Sequence, residues 1–570
     1  MRLVYKQLWK QIVKDKIFLS LLMLLTILTS LSFFFAIFSI DGNMQALNTV
    51  NKLTENQLLY QNALNSNSVL AYSFLLTLIG LSALVFIMFF YRFFRTNKKQ
   101  IGCIKALGYK DNSLQGFFVG FTAILSICGA FLGLLGGYFL SDILINANMK
   151  TYAVTGLIKG IKGTNLIMGL TAPATIFCVI AALCYGFVRN KETGFLIAGN
   201  NGQGRFSNTL KIADKISRLV PANRRFPLRI ALRKPLAVFL LIIAVMSFSV
   251  CVILGQSLNI SSAKIFEMQT IGHNYNYDIR YSEYQTATLP SDTTTYLDSP
   301  AKVFIDRYEL ERTAIGLYDV NKIYKLTNKA GKTLSVPMEN RVYINPEFSE
   351  IYGIEIGDIL SVKISGNRQD FEVEDIAVNA NSKCFYLNGQ QLSEILGIQA
   401  GAYNGVFSLD EMQGDSIITK SQRIENLKRN ATSNQVSGVI NQSVGVVIGA
   451  VLIFLALYIN FQDSTHDILI LTMMGHRIKT IRKMLVDVYL PILWAAFFIT
   501  LVPSILLAKS IQQSLSISTN DYMPFSINVI FIILSFLAIS LIYCCVQFVF
   551  SLGIKKLITQ KELTEIVYSE

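Results

Sequence analysis

Eight long apolar runs constrain the fold of this sequence more than any other feature. Each run is 17 to 25 residues long, and about 20 helical residues are enough to cross the hydrocarbon core of a bilayer. Because 52% of the 570 residues are hydrophobic and only 15% are charged, the composition excludes a soluble globular protein. We therefore predict a polytopic α-helical membrane protein with eight transmembrane helices. The runs are 17–40, 69–91, 116–140, 166–187, 236–255, 444–460, 485–508 and 527–550.

The distribution of positive charge predicts the orientation of these helices. Positively charged segments resist translocation, so Lys and Arg accumulate in cytoplasmic loops. With the N-terminus inside, the five cytoplasmic segments hold 29 Lys and Arg residues, whereas the three short outer loops hold 5. We therefore expect both termini to be cytoplasmic. The net charge of +14 reflects this topology, and we expect the lipid bilayer rather than a nucleic acid to be the partner of the basic segments.

Two similar short segments lie at equivalent positions in the two halves of the chain. The first is QIGCIKALGYKDNSL at 100–114 and the second is DILILTMMGHRIKTI at 467–481. Aligning Gly108 with Gly475 pairs Leu107 with Met474, and each segment lies between two apolar runs. A short amphipathic helix that ends at a glycine suits a groove on a partner protein. The alternative is a solvated, positively charged loop, but its repetition favours a docking element. The predicted coupling residues are Gln100, Ile101, Ile104, Lys105, Leu107, Gly108, Asp467, Ile468, Met473, Met474, Gly475 and His476.

The repeat predicts two four-helix repeats and one inserted domain. About 148 extra residues separate the first two helices of the second half, and we expect them to form one α+β extracytoplasmic domain on a helical stalk. The predicted divisions are a first module at 1–188 with coupling segment 92–115, a cytoplasmic linker at 189–235, a fifth transmembrane helix at 236–256, the stalk and α+β domain at 257–442, helices 6–8 at 443–552 with coupling segment 462–484, and a cytoplasmic tail at 553–570.

Within the inserted domain, alternating apolar residues predict strands at 302–310, 333–338 and 370–378, and a strand, short helix, turn and strand at 341–364. The flanks show helical spacing and are predicted to continue helices 5 and 6 as a stalk. The segment 257–442 holds 17 basic and 23 acidic residues, which makes the domain acidic. The predicted stalk residues are Ile265, Met268, Ile271, Ile424, Leu427 and Val436.

Glycines at four-residue spacing mark the third apolar run. Gly129, Gly133 and Gly137 would present bare backbone on one face of a helix, which is typical of close helix packing in membranes. We expect a packing role for them rather than a ligand site.

The sequence offers no residues that point to catalysis or to a metal. The three histidines, His273, His466 and His476, are not grouped with Cys or Glu at the spacing of a metal site. The segment KAGKT at 329–333 lacks the first glycine of a P-loop, and the interiors of the apolar runs carry no ionisable residue of the kind that ion-coupled carriers use. We therefore expect a non-catalytic chain without a cofactor, whose energy comes from another protein.

The motifs together resemble the FtsX-like, or MacB-type, permease subunits of ABC transporters, also called type VII. The resemblance rests on KKQIGCIKALG at 98–108 followed by GAFLGLLGG at 129–137, on DILILTMMG at 467–475, and on the outer stretch at 342–364. Gln100 stands where the family usually has an acid, whereas Asp467 keeps it, so the two segments differ in what they offer an ATPase.

The resemblance implies a partner, a location and a mechanism. It implies a bacterial plasma membrane protein that binds two copies of a cytoplasmic ABC ATPase subunit, which would hold ATP and Mg. Such permeases transmit motion from the ATPases to an outer domain. The resemblance and the acidic domain together suggest export or detachment of antimicrobial peptides, lipid-linked or hydrophobic substrates, with a peptide, lipoprotein or sensor kinase as an outside partner. The alternatives are export of a lipoprotein, peptide or drug, a scaffold that activates a cell-wall hydrolase, and, least favoured, a secondary carrier.

Overall fold

A computed structural model describes residues 2–50, 54–152, 154–198, 215, 221–232, 234–290, 292–305, 308–320, 322–519 and 521–559. The chain divides into two compact units. Unit 1 comprises Met1–Ile253, Gln442–Leu507 and Val529–Glu570, and unit 2 comprises Leu254–Asn441 and Ala508–Asn528. The helices in the described residues are α1 (Arg2–Lys14), α2 (Lys16–Asn48), α3 (Glu55–Thr96), α4 (Lys98–Ala106), α5 (Asp111–Tyr152), α6 (Gly163–Arg189), α7 (Thr193–Ala198), α8 (Ala222–Leu232), α9 (Pro235–Met268), α10 (Pro346–Glu350), α11 (Gly389–Leu396), α12 (Lys420–Asp463), α13 (Thr465–Met473), α14 (Ile478–Leu485), α15 (Tyr489–Thr519) and α16 (Val529–Thr559).

Eight helical segments among the described residues are long and apolar enough to cross a membrane. They correspond one to one with the eight predicted apolar runs, so the chain is a multi-pass membrane protein. Several helices are much longer than a bilayer requires: α3 and α5 have 42 residues each, or roughly 63 Å at 1.5 Å per residue, against a hydrocarbon core of about 30 Å. These helices must therefore continue into the aqueous layer.

The glycine stripe of α5 lies directly against α2. A Cβ atom at Gly133 would lie 2.8 Å from both the carbonyl oxygen of Ile27 and the backbone nitrogen of Leu31. At Gly129 and Gly137 the nearest atoms belong to Thr26 and Phe34. The two backbones approach so closely because no side chain separates them.

We expect Gly133→Ala to destabilise unit 1. The added methyl group would meet backbone atoms of α2, which cannot rotate away, so overpacking should cost about 1–3 kcal/mol. Gly120→Ala on the same helix is the matched control, because a Cβ there meets nothing within 4 Å. Thermal unfolding of the full chain in detergent measures both variants. An unfolding temperature of Gly133→Ala equal to that of Gly120→Ala would contradict the packing role.

Unit 2 contains a β-sheet of nine strands. The strands are β1 (Tyr277–Gln285), β2 (Thr293–Ile305), β3 (Tyr308–Leu317), β4 (Arg341–Ile344), β5 (Ile359–Ile364), β6 (Asn367–Ile376), β7 (Cys384–Asn388), β8 (Tyr403–Ser408) and β9 (Ser416–Thr419). Their order is β3-β7-β4-β6-β5-β2-β8-β1-β9, and β2 also pairs with β3. This extra pairing closes β3, β7, β4, β6, β5 and β2 into a six-stranded barrel, and β8, β1 and β9 continue the sheet from β2. With α10 and α11, the fold agrees with the predicted α+β class.

The barrel closes because β2 changes partners along its length. Residues 293–296 pair with β8 and residues 301–304 pair with β5. Between these two stretches, the side chain of Asn404 satisfies the backbone of Asp298. Its Oδ1 accepts a hydrogen bond from the Asp298 amide at 2.8 Å, and its Nδ2 donates to the Asp298 carbonyl oxygen at 3.0 Å. Inside the barrel lie fully buried apolar side chains, among them Leu297, Val303, Val342, Val362, Val373 and Phe385.

The predictions for this domain succeeded in part. The strand, helix, turn and strand predicted at 341–364 are β4, α10, a turn and β5, and the strand predicted at 370–378 falls largely within β6. The strand predicted at 302–310 is the end of β2 and the start of β3, and residues 306–307 between them lie outside the described residues. The strand predicted at 333–338 is wrong: this fully described segment makes only an isolated bridge, Thr327 to Thr333, and its Pro337 has no amide to continue a ladder.

Candidate functional site

The two predicted coupling segments have the same local structure. In the first, α4 ends at Ala106 and Gly108 takes a left-handed conformation with φ of 86° before α5 begins. In the second, α13 ends at Met473 and Gly475 has φ of 82° before α14 begins. A residue in this conformation at a helix end is most often glycine, because a Cβ atom is disfavoured there. Each segment is therefore a short helix, a glycine turn and a following helix.

The structure separates the predicted coupling residues into buried and exposed groups. Ile101, Ile104 and Ile468 are buried within unit 1, so they hold the short helices in place and cannot enter a partner's groove. By contrast Leu107 is 74% exposed and Met474 is 69% exposed. Met473, Gly108, Gly475 and His476 are also exposed, and the side chain of Asp467 lies outside the described residues. Both segments thus present an apolar side chain beside the glycine turn, at aligned positions.

Helix α4 is fixed from one side by the segment that follows α6. A Cβ at Gly102 would lie 2.8 Å from Cβ of Leu196 in α7, so glycine lets the two short helices touch. Lys105 Nζ lies 3.2 Å from Asp111 Oδ1 and donates to the Arg189 carbonyl oxygen at 3.1 Å. Because these partners lie up to 94 positions away in the chain, no local pattern could have revealed them.

The N-terminal helix α1 fixes α4 and α5 from another side. Tyr5 stacks on Phe117 with ring centroids 5.3 Å apart, and Trp9 meets Phe121 at 5.7 Å. Gln100 accepts a hydrogen bond from Gln11 of α1. This side chain is therefore engaged within unit 1. In the second half, α8 packs against α14.

Polar side chains join the two halves of unit 1. Asp15, between α1 and α2, accepts hydrogen bonds from the Tyr458 hydroxyl at 2.5 Å and from Gln462 Nε2 at 3.3 Å. Arg92 of α3 also donates to Gln462. Since Tyr458 and Gln462 belong to α12, these contacts connect the first half directly to the second. No pattern in the sequence predicts this junction.

The predicted stalk is helical, with one correction. Ile265 and Met268 lie on α9, and Ile424, Leu427 and Val436 lie on α12, all partly buried. The prediction for Ile271 is wrong. It lies three residues past the end of α9, in a turn that Gly272 completes with φ of 78°. Its carbonyl oxygen accepts a hydrogen bond from Asn379 Nδ2 at 2.8 Å. The helix stops there because this turn redirects the chain into the sheet domain.

An arginine attaches α12 to the sheet domain. The guanidinium of Arg423 lies 3.9 Å from the centre of the Tyr275 ring, and its Nη2 donates to the His273 carbonyl oxygen at 3.2 Å. The buried His273 ring lies at a tilt against the Tyr324 ring, with the two ring centroids 4.8 Å apart. Burial, with the nearby charge of Arg423 adding to it, lowers the pKa of His273 to about 3. Burial also raises the pKa of Tyr275 to about 12.

His273 should make unit 2 sensitive to acid. Its folded pKa of about 3 lies below the ordinary 6.5, so the unfolded chain binds the proton first, and stability falls as pH drops below about 6.5. Linkage gives a loss of up to about 3 kcal/mol between pH 7 and pH 4. His273→Phe keeps an aromatic ring and removes the titration, so its unfolding temperature should fall less over this range. Thermal unfolding of both full-length proteins at pH 7, 5.5 and 4 measures the difference, and identical pH profiles would contradict it.

Among the described residues, no group of three or more His, Cys, Asp or Glu side chains could hold a metal ion. All eight cysteines are free thiols. The candidate site therefore consists of the two exposed coupling segments and the contacts that hold them in unit 1.

Two stretches, 72–193 and 443–557, each contain one coupling segment together with the membrane helices before and after it. Both match the FtsX-like permease C-terminal family model. A search of curated proteins found no match. The two FtsX-like segments cover equivalent elements, α3 to α6 and α12 to α16, so each half of the chain holds one segment similar to this family. The sheet domain of unit 2 lies outside both matches.

Proposed function

We propose that this chain is the permease subunit of an ATP-driven ABC transporter, and that its two glycine turns bind the ATPase subunits. The observation that carries the proposal is the pairing of Leu107 with Met474: each is an exposed apolar residue beside a left-handed glycine, within one of the two FtsX-like segments. An exposed apolar side chain on a short helix is a typical anchor for a partner's groove.

One chain with two coupling surfaces would bind two copies of a cytoplasmic ABC ATPase. The partner would hold ATP and Mg, and the permease itself would remain non-catalytic. The positive charge near both surfaces supports their placement on the cytoplasmic side of a bacterial plasma membrane, with both termini on that side.

In this proposal, closure of the ATPases on ATP moves α4 and α13. The contacts of Gln100 with α1 and of Gly102 with α7 would carry that motion into the first module, and the Asp15 junction would carry it between modules. Helices α9 and α12 would then transmit it to the sheet domain outside the membrane.

The sheet domain would act on a substrate that has already left the membrane interior. Its acidic composition favours antimicrobial peptides with positive charge or a lipid-linked target, and peptide resistance would be the physiological result. Export of a lipoprotein, a peptide or a hydrophobic drug is the alternative within the same class. A scaffold that activates a cell-wall hydrolase without transport is the alternative from another class.

Affinity purification of the tagged full-length chain from its own cells tests the central claim. We expect a protein with Walker motifs to co-purify in a ratio of two per chain, and its ATP hydrolysis to depend on the chain. If no such protein co-purifies in a mild detergent, the proposal is wrong. Susceptibility profiling of a deletion strain then separates the alternatives. Selective sensitivity to antimicrobial peptides favours peptide export or detachment, whereas a division or chaining defect favours the hydrolase scaffold.

A further inference from the structure

The connection between α15 and α16 belongs to unit 2 together with the sheet domain. Residues Ala508–Asn528, which are the end of α15 and the segment that follows it, form one compact unit with Leu254–Asn441. The predicted stalk contained only the continuations of α9 and α12. A third part of the membrane region therefore reaches the domain, and its contacts identify the residues involved.

Two hydrogen bonds attach this connection to α10. The Tyr522 hydroxyl donates to Glu350 Oε2 at 2.9 Å, and Gln513 Nε2 donates to the Glu350 carbonyl oxygen at 3.0 Å. Tyr522 is buried, so its bond to a carboxylate is shielded from water and stronger than a neutral surface bond. Glu350 is thus held by its side chain and by its backbone at once.

The connection is itself firmly folded. Gln512 Nε2 donates to the carbonyl oxygens of Met523 at 3.1 Å and of Pro524 at 3.2 Å, and the Met523 amide donates to Ser516 Oγ at 3.1 Å. The Ser526 amide donates to Ser257 Oγ of α9 at 3.0 Å. A segment tied in this way moves with the end of α15 instead of bending away from it.

Helix α10 is equally firmly tied to the barrel. Phe348 is fully buried in the barrel core. Glu347 accepts a hydrogen bond from Arg312 of β3 at 2.6 Å, and both side chains are almost completely buried. The five residues of α10 therefore bridge the barrel on one side and the α15–α16 connection on the other.

We propose that Glu350, Gln513 and Tyr522 are positioning residues that couple the seventh and eighth membrane helices to the barrel. This inference rests on the proposed transport function. Within unit 2 the barrel is already joined to the ends of α9 and α12, and these bonds add a third attachment, to the end of α15. A displacement of the end of α15 would therefore reach α10 and the barrel through Glu350.

Tyr522→Phe in the full-length chain removes one hydroxyl and keeps the buried ring. Hydrogen exchange of the protein in nanodiscs should become about tenfold faster in peptides covering 346–352 and 521–528, because the lost bond has a charged acceptor. Glu350→Ala should give the same result, and Glu350→Gln, which keeps an acceptor, should restore part of the protection. Tyr284→Phe, at an exposed position in β1, is the matched control and should change neither peptide.

The coupling is measured with the co-purified ATPase bound. In the wild-type complex, ATP with orthovanadate should change the exchange of barrel peptides. In Tyr522→Phe and Glu350→Ala this response should fall at least threefold while the amount of bound ATPase stays the same. Unchanged exchange at 346–352 in both variants, or an undiminished nucleotide response, would overturn the inference. Failure of the proposed function would be seen separately, because the wild-type chain would then retain no ATPase.

Discussion

The double substitution of Leu107 and Met474 by Asp is expected to abolish association with the ATPase. Both side chains are mostly exposed in the chain itself, so the permease should fold normally with the charged residues. In a complex the two carboxylates would be buried in apolar grooves without partners, which costs several kcal/mol each. We expect at least a hundredfold loss of co-purified ATPase and loss of coupled ATP hydrolysis.

Leu58→Asp is the matched control for this variant. Leu58 is an exposed apolar residue near the start of α3, far along the chain from the end of that helix that leads into α4, and its replacement should leave ATPase binding unchanged. The two single variants test whether the surfaces are equivalent, since Gln100 and Asp467 differ beside them. If the double variant retains the ATPase at the wild-type level, the docking surfaces have been wrongly placed.

Arg312→Met is expected to produce the largest loss of stability in the barrel. Arg312 and Glu347 form a buried ion pair at 2.6 Å. Burial raises the pKa of Glu347, and the guanidinium opposes that rise, so the carboxylate depends on its partner. Removal of one member of a buried pair typically costs about 3–5 kcal/mol. Hydrogen exchange of barrel peptides in the full chain should therefore become roughly 10²–10⁴ times faster.

Two further variants separate loss of the pair from loss of volume. Lys302→Met breaks an exposed pair with Glu309 at 2.7 Å, and its barrel peptides should exchange as in the wild type because such pairs are screened by water. The double variant Arg312→Met with Glu347→Leu should recover most of the lost protection, because no buried charge remains unpaired. Equal protection in Arg312→Met and in the wild type would show that the pair does not stabilise the barrel.

The membrane helices could be predicted from the sequence because crossing a bilayer demands long apolar runs. Their true lengths could not: α3 begins at Glu55 and α5 continues to Tyr152, beyond the apolar residues that identify a membrane span. The extensions mix polar and apolar residues, and a capping box at Thr54 and Gln57 marks the start of α3. Hydropathy predicts the part of a helix that crosses the bilayer, whereas capping residues determine where the helix begins.

The coupling segments were found from repetition, but the burial of their residues was not predictable. Ile101 and Leu107 look equally apolar in the sequence, yet one is buried and the other exposed. The difference comes from α1 and α7, which pack on α4 from distant positions in the chain. Likewise Glu350 and Tyr522 are 172 positions apart, and no sequence pattern predicts that they form a hydrogen bond. Strands β1, β8 and β9 were missed for the same reason, since their pairing joins the two ends of the domain.

The pairing of the first strand with the last two has a consequence for biosynthesis. Tyr277 of β1 aligns with Ser408 of β8 and with Thr419 of β9, so β1 has no partner until more than 130 further residues have been made. At 5–20 residues per second, a nascent chain would carry this strand unpaired for about 7–28 s. An unpaired strand of this length is prone to aggregation. The native edges of β1 are therefore covered only after the last strand of the domain has been synthesised.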